Sequence, residues 1–526
     1  MDKIVLIRPP TVFPRVAFNT SQGVPPIGLA YLAGSLKRAN YDVDIIDAFG
    51  EDVHRFSEIP DTPFVINGLS AQEIVERVST DVSLFGFSCM FSNEWVYHRV
   101  TINEIAKAFP GIPIIAGGEH ITADYEQVFK DCPDITACAL GEGEETLIHL
   151  IDILASGGDI GEVSGIVYKN ADGELFPTPP RKRIRELDDI PWPDWSTVPL
   201  ENYHSNGLGM SAVRGRNMPM LLSRGCPFEC TFCSNPTMWG RKWSARDPED
   251  VVKEIKHYIS EFDINHIEFY DLTAVIQKKW MMAFTNELIK ADLGVSWAMP
   301  SGTRSEALDA EVLRNIKISN CIGITYAPES GSEDTLVSIK KKVKLDNMMA
   351  SMREAVKAGL LVKANIVIGF PGQTMSEVWE TYILIVKMAW IGVHDVPVFP
   401  FVPYPGSELF RHLVQEGEID PESEDYHLFL AGNVFNEISS MKSWSEHIKD
   451  HHLRMLSLGG IYMFYFFQFL IRPWRLIANL KRLITSAPIT MFERAVDGII
   501  KNYIMGRKSR SKIKKVSSSI EKAPAN

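Results

Sequence analysis

Short apolar runs alternate with helix-period segments from the first residues onward, and a chain written in this way folds into parallel βαβ units. Strands are expected at residues 4–7, 43–46, 83–88, 114–116 and 136–140, with helices at 27–39, 71–79, 95–109, 124–130 and 144–155. Five such units make residues 1–157 an α/β domain with a doubly wound, five-stranded, Rossmann-like sheet, whose ligands sit outside the carboxyl ends of the strands. The loops at those ends hold Pro10, Asp47, Ser88, Gly117, Gly118, His120, Gly141, Glu142 and Gly143. Glycines there serve either tight turns or the close approach of a large flat ligand.

A chain of 526 residues exceeds one domain, and 45% apolar with 23% charged residues is a globular composition that excludes disorder, collagen and coiled coil. Residues 158–215 read as a connector. Runs at 165–170 and 174–177 flank the turn Asn170-Ala171-Asp172-Gly173, and Pro191-Trp192-Pro193-Asp194-Trp195 forms a strap whose tryptophans are expected to pack against a domain. The net charge of −12 carries no nucleic-acid footprint. Only four apolar residues in a row precede Arg8, too few for a signal-peptide core, so the chain is expected in the reducing cytosol.

Three of the seven cysteines crowd into Arg224-Gly225-Cys226-Pro227-Phe228-Glu229-Cys230-Thr231-Phe232-Cys233-Ser234-Asn235. Thiolates at these offsets suit one iron-sulfur cluster. A structural zinc site needs four ligands, and His204 and His257 are too distant in sequence to complete one. Three sulfurs on a four-iron cluster leave one iron open for chemistry. Cys89, Cys132, Cys138 and Cys321 read as buried thiols.

Cys226, Cys230, Phe232 and Cys233 match the Cys-x3-Cys-x2-Cys hallmark of the radical-SAM superfamily, with an aromatic before the last Cys. The segment around Gly28 (Val24-Pro25-Pro26-Ile27-Gly28-Leu29), Gly117-Gly118-Glu119-His120 and Gly141-Glu142-Gly143-Glu144 resemble the N-terminal domain of cobalamin-dependent radical-SAM enzymes. The look is nearest to the anaerobic magnesium-protoporphyrin monomethyl ester cyclase type, through residues 224–228, 245–248 and 251–255. The resemblance implies a partial (β/α)6 barrel over residues 216–420. Runs at 220–222, 267–270, 296–299, 322–326, 364–368 and 396–402 supply its strands, with helices such as 248–262 and 278–291.

It also implies three cofactors: a 4Fe-4S cluster on the three cysteines, S-adenosyl-L-methionine (SAM) and cobalamin. By analogy Asp271 meets the SAM amino group, Arg304 its carboxylate, Glu329 or Ser330 the ribose and Ile366 to Gly369 the adenine, with Phe232 alongside. Pro10, Gly28, Asp47, Ser88, Gly117, Gly118, His120, Gly141, Glu142 and Gly143 are the expected cobalamin contacts. Asp47-Ala48-Phe49 lacks the His that replaces the cofactor's own base in other corrinoid proteins, so base-off binding without a histidine ligand is implied.

Residues 421–526 are expected to be helical and basic. Residues 451–526 hold 14 basic and 3 acidic side chains, and 455–471 is a 17-residue stretch without charge. Three readings stand: a helix lying in an anionic membrane surface, a helical layer packed on the barrel, or a span at the lower length limit. Downstream, Phe492, Val496, Ile499, Ile500, Tyr503 and Ile504 recur at helical spacing before a basic run at 507–515. The expected activity is radical modification of an unactivated carbon of a small hydrophobic substrate, methylation ahead of oxidative cyclisation, with an external flavodoxin- or ferredoxin-like one-electron reductant. The expected place is the cytoplasm or the inner membrane face. A non-catalytic corrinoid or iron-sulfur carrier is the rival class.

Overall fold

The computed structural model describes residues 3–15, 23–211, 215–273, 275–433, 441–485, 488–490, 492–494 and 496–497. Strand β1 (Lys3–Arg8) is a run of Ile, Val and Leu buried on both faces, as a central parallel strand must be. It lies between β3 (Asp42–Asp47) and β6 (Val82–Ser88), and β7 (Ile114–Gly117) and β8 (Ala137–Ala139) continue the sheet beyond β6, all parallel. The order reverses between β1 and β6, which makes their carboxyl ends the switch-point crevice.

Two features differ from the sequence expectation. The hairpin β9 (Ile166–Lys169) and β10 (Leu175–Pro177) pairs antiparallel on β8, so the connector's first segment completes a seven-stranded sheet. Burying Ile166 and Val167 ties it there. A three-stranded side sheet of β2 (Thr11–Pro14), β4 (Phe56–Glu58) and β5 (Phe64–Asn67) also forms, packed against Leu428 and Ala431 of the helix Glu424–Gly432. Trp195 is buried, and Trp192 bonds Asp250 and lies against His257, so both strap tryptophans pack.

The second sheet is six parallel strands in chain order: β11 (Asn217–Met220), β14 (His266–Phe269), β15 (Ser296–Thr303), β16 (Cys321–Glu329), β17 (Leu361–Ile368) and β18 (Val398–Pro400). A two-stranded ribbon, β12 (Ser223–Arg224) with β13 (Ser244–Ala245), stands above β11. Along β17 Val362, Ala364, Ile366 and Ile368 are buried while Lys363, Asn365 and Val367 are half-buried. That period of two marks an outer face covered by helices and a lumen left partly open.

The helix Asp450–Ile471 lies along the helix Met375–Ile391 and over β18. Ser457 Oγ donates to Val398 O (2.6 Å), Tyr465 Oη to Asp395 Oδ1 (2.7 Å) and Gln468 Nε2 to Val393 O (2.8 Å). Among the described residues it is the one helix long and apolar enough to cross a membrane, yet its polar side chains are bound to the barrel. The structure therefore seats it as a packed helix with one exposed face rather than as a span. Pro473 breaks the run and starts the helix Pro473–Ile484. Phe492 stacks near Tyr465 at 4.7 Å. The expected positions Ile499, Ile500, Tyr503, Ile504 and the basic run 507–515 lie outside the described residues.

Candidate active site between the two sheets

The cysteine loop is held from three sides. Asp271, at the end of β14, accepts from Leu222 N (3.0 Å) and Ser223 Oγ (2.5 Å), fixing the ribbon that feeds the loop. Thr231 N donates to Ile339 O (3.0 Å), and Leu409 N donates to Thr231 O (2.9 Å). Cys226, Cys230 and Cys233 are partly exposed, whereas the other four cysteines are buried. Burial raises all three loop thiols, Cys233 to about 12, while Lys341 and Arg304 oppose the rise at Cys226 and Cys230. Among the described residues no three His, Cys, Asp or Glu side chains converge as ligands of a single ion.

The barrel side brings several polar groups to that loop. The Arg304 guanidinium lies over the Phe228 ring at 3.5 Å and pairs with Glu306 (2.7 Å). Lys341 bonds Glu329 at 2.8 Å, both buried, and Glu329 holds a left-handed φ of 64°, a conformation that side chains other than glycine adopt at a cost. Phe232 packs against Phe370 with ring centroids 5.6 Å apart. Among the described residues, buried polar atoms without a partner include Thr231 Oγ1 and both amide atoms of Asn235 in the loop segment, and Thr303 Oγ1 and Asn365 Oδ1 on the barrel strands. Unsatisfied groups of this kind are expensive unless a ligand or water meets them.

Other expected SAM contacts are placed differently. Ser330 Oγ is buried against Thr381 Oγ1 of the outer helix (3.0 Å) and accepts from Ser332 N, so it braces that helix instead of facing the loop. Ile366 belongs to the buried outer face of β17. Gly369 donates its N–H to Gln373 and leaves no room for a Cβ beside Leu453. Asp271 stays near the loop, and burial raises its carboxyl to about 6.

From the first domain, Glu119 accepts a short hydrogen bond from Ser234, the residue after Cys233. Arg224, two residues before Cys226, pairs with Glu144 (2.5 Å) and Glu142 (3.2 Å), all three buried or nearly so. Glu142 therefore braces the cysteine loop, and its other oxygen accepts from Ile184 N. Asp47 is likewise engaged: it caps the turn at Gly50, accepts from Tyr203 Oη and lies 3.6 Å from Arg8. Gly143 packs on Leu32. His120 is buried against Trp95, with Nδ1 3.0 Å from Ser92 Oγ and Nε2 unpartnered. Pro10 and Ser88 sit at the switch-point ends of β1 and β6. A Cβ at Gly28 would meet nothing within 4 Å, so Gly28 borders free space, whereas one at Gly117 would touch Ala139 at 3.8 Å and one at Gly141 would touch Met238 O at 3.5 Å, both in ordinary contact. Gly118 has φ +115° and lies against Cys89 O, where any side chain would collide.

The sequence profile of the B12 binding domain matches residues 16–151, and that of the Radical SAM superfamily matches residues 220–385. An uncharacterized methyltransferase of Pyrococcus horikoshii is 31% identical over 78% of this chain and 83% of its own length. The anaerobic magnesium-protoporphyrin IX monomethyl ester cyclase of Rubrivivax gelatinosus is 30% identical over 75% of this chain and 67% of its own. The chain belongs to the cobalamin-binding radical-SAM enzymes. The enzyme shares its fold with the radical S-adenosylmethionine methyltransferase TsrM from Kitasatospora setae (TM-score 0.60, 15% identity, 79% of this chain and 75% of that one), solved with cobalamin and a 4Fe-4S cluster bound.

Its cofactors are a 4Fe-4S cluster, SAM and cobalamin, and the residues present fit them. Three half-buried cysteines, with Lys341 and Arg304 near Cys226 and Cys230, suit the cluster. Orphaned Asn235 at the end of that loop, with orphaned Thr303 and Asn365 on the barrel strands, suits a polar ligand such as SAM. The open ground at Gly28, the small Gly117 and Gly141 at the strand ends and the unpartnered His120 Nε2 suit a large ligand there. Sequence reading missed Asn235, Lys341 and Glu119 as site residues. Asn235 and Glu119 adjoin motifs already singled out, so position alone could have flagged them; Lys341 follows the helix Glu333–Ser338 with no local signal.

Proposed function

We propose that this enzyme methylates an unactivated carbon of a small hydrophobic molecule. The observation that carries the reading is the pair of ties between first-domain loops and the cysteine loop, Arg224 with Glu144 and Ser234 with Glu119, because they set a corrinoid cradle and a cluster loop against one another. When bound, the cluster supplies the electron that cleaves SAM to a 5′-deoxyadenosyl radical able to take a substrate hydrogen, and cobalamin supplies the methyl carrier. The chain's part is placement. Arg304 and Lys341, which pair with Glu306 and Glu329, would turn their remaining donors to the SAM carboxylate. Asn235, Thr303 and Asn365 offer unmet hydrogen-bonding atoms for the rest of SAM. Asp271, which accepts from Leu222 N, Ser223 Oγ and the Ser223 and Asp271 backbone N–H groups, fixes the ribbon beneath the loop, and in this reading its carboxylate faces the amino group. Pro10, Ser88, Gly28, Gly117 and Gly141 border the corrinoid.

Oxidative cyclisation is the second reading, favoured by the 30% identity to the Rubrivivax gelatinosus cyclase. A flavodoxin- or ferredoxin-like protein supplies the electron. The enzyme works in the cytoplasm and touches the inner membrane face through residues 455–526. Anaerobic reconstitution with iron, sulfide, cobalamin, SAM and reductant tests the reading. 5′-Deoxyadenosine and transfer of the SAM methyl group to cobalamin are expected from the parent chain, and neither from Cys230→Ala. Product formation by Cys230→Ala overturns the assignment, and a parent chain that passes electrons without cleaving SAM is a carrier.

A further inference from the structure

We infer that the barrel itself, through its outer helix Met375–Ile391, forms half of a docking face for an anionic lipid bilayer, the other half being the helices Asp450–Ile471 and Pro473–Ile484. The inference deepens the membrane contact proposed above, which rested on residues 455–526 alone. On Met375–Ile391, Trp379, Ile383 and Trp390 recur at one helical face, and Trp390 is 67% exposed. The opposite face is spent on the core through Ile385 and Met388. Helix Asp450–Ile471 repeats the pattern, with Phe464 buried and Phe466 63% exposed.

The two helices run side by side in the same direction. Tyr382 Oη, midway along the first helix, donates to Leu456 O in the first third of the second, and Arg472 donates to Ala389 O and Trp390 O (each 2.8 Å) at their ends. Their outward faces therefore share one surface, and Pro473–Ile484 extends it with Ile477 at 70% exposure. Contiguous tryptophan and aliphatic surface on this scale marks an interaction site, and aromatic rings of this kind sit well at the lipid headgroup level.

Charge selects the occupant. Trp390 and Lys387 also line a groove of about 1220 Å³ whose rim carries Lys342, Lys344 and Arg353, none of them in an ion pair among the described residues. Glu333, Asp346 and Glu380 line it too, so its own pull on an anion is modest. The larger charge is in the sequence beyond Ile484, where residues 485–526 hold 9 basic against 3 acidic side chains. An apolar face bordered by Lys342, Lys344, Arg353 and Lys387, in a chain whose last residues are basic in sequence, complements anionic lipid, where each basic residue near the surface contributes, and a second copy of the chain would bring like charge to the same place.

Co-sedimentation of the full, cofactor-loaded chain with phosphatidylcholine vesicles, with and without phosphatidylglycerol, tests the inference. The parent is expected to bind only the anionic vesicles, and less at high salt. The double substitution Ile383→Ser with Trp390→Ser is expected to weaken that binding by about tenfold or more, from the apolar area withdrawn. Its iron and cobalamin contents are expected to match the parent's. Anionic-vesicle binding equal to the parent's overturns the inference and leaves contact through the C-terminal segment standing. No binding by the parent overturns both. A parent dimer dissolved by the same substitutions assigns the face to a second copy and also overturns it.

Discussion

Glu94 shows how one buried carboxyl sets a pH dependence. Burial raises its pKa from 4.5 to about 7 against the pull of Arg8. Between those two values the folded chain holds a proton that the unfolded chain has released, so the group's contribution is complete below 4.5 and is lost as pH rises through about 7. Glu94→Gln removes that loss, and its denaturation midpoint relative to the parent is expected to climb across this window. At the site, Lys341→Met is expected to raise the KM for SAM by about 10- to 100-fold, the loss of one charge-assisted bond, with Lys341→Arg recovering part of it. Steady-state kinetics at saturating reductant separates KM from kcat. At this scale the three cysteines were legible because their chemistry depends on local spacing. Ser330, Asp47 and Glu142 were not, because a strand end fixes where a residue stands but not which neighbour its side chain reaches, and their partners Thr381, Tyr203 and Arg224 are far away in sequence.

Helices with strong end signals could be read closely. Asp247 caps Pro248–Phe262 through Glu249 N and Asp250 N with Pro in the first turn, and that helix falls where the sequence puts it. The side sheet β2–β5–β4 escaped because β4 is three residues long with Phe56 exposed, so no alternation announces it. The helix Asp450–Ile471 was ambiguous for a physical reason: its apolar composition suits a core, an interface or a span, and only the bonds of Ser457, Tyr465 and Gln468 to the barrel decide. Ser457→Ala with Gln468→Leu withdraws two of those donors, each worth about 1–3 kcal/mol when a buried carbonyl is left unmet. Hydrogen exchange is expected to quicken across Val398–Pro400, and proteolysis across 450–471.

Across the whole molecule the decisive contact is Arg224 with Glu142 and Glu144. Arg224→Ala leaves the buried Glu144 without its cation, Glu142 keeping Arg183, and is expected to cost about 3–5 kcal/mol. Thermal unfolding should then split into two transitions as the sheets part company. The sequence marked the carboxyl ends of both sheets as the places for chemistry; that those ends meet follows from pairings across some eighty residues, which no local pattern encodes. The same pairing has a mechanical consequence. One tie grips the cysteine segment just ahead of Cys226 and another just behind Cys233, so a clamshell swing of one domain from the other would drag the metal-bearing segment with it. Opening the two sheets would therefore cost both ties and disturb the segment that carries the three sulfurs.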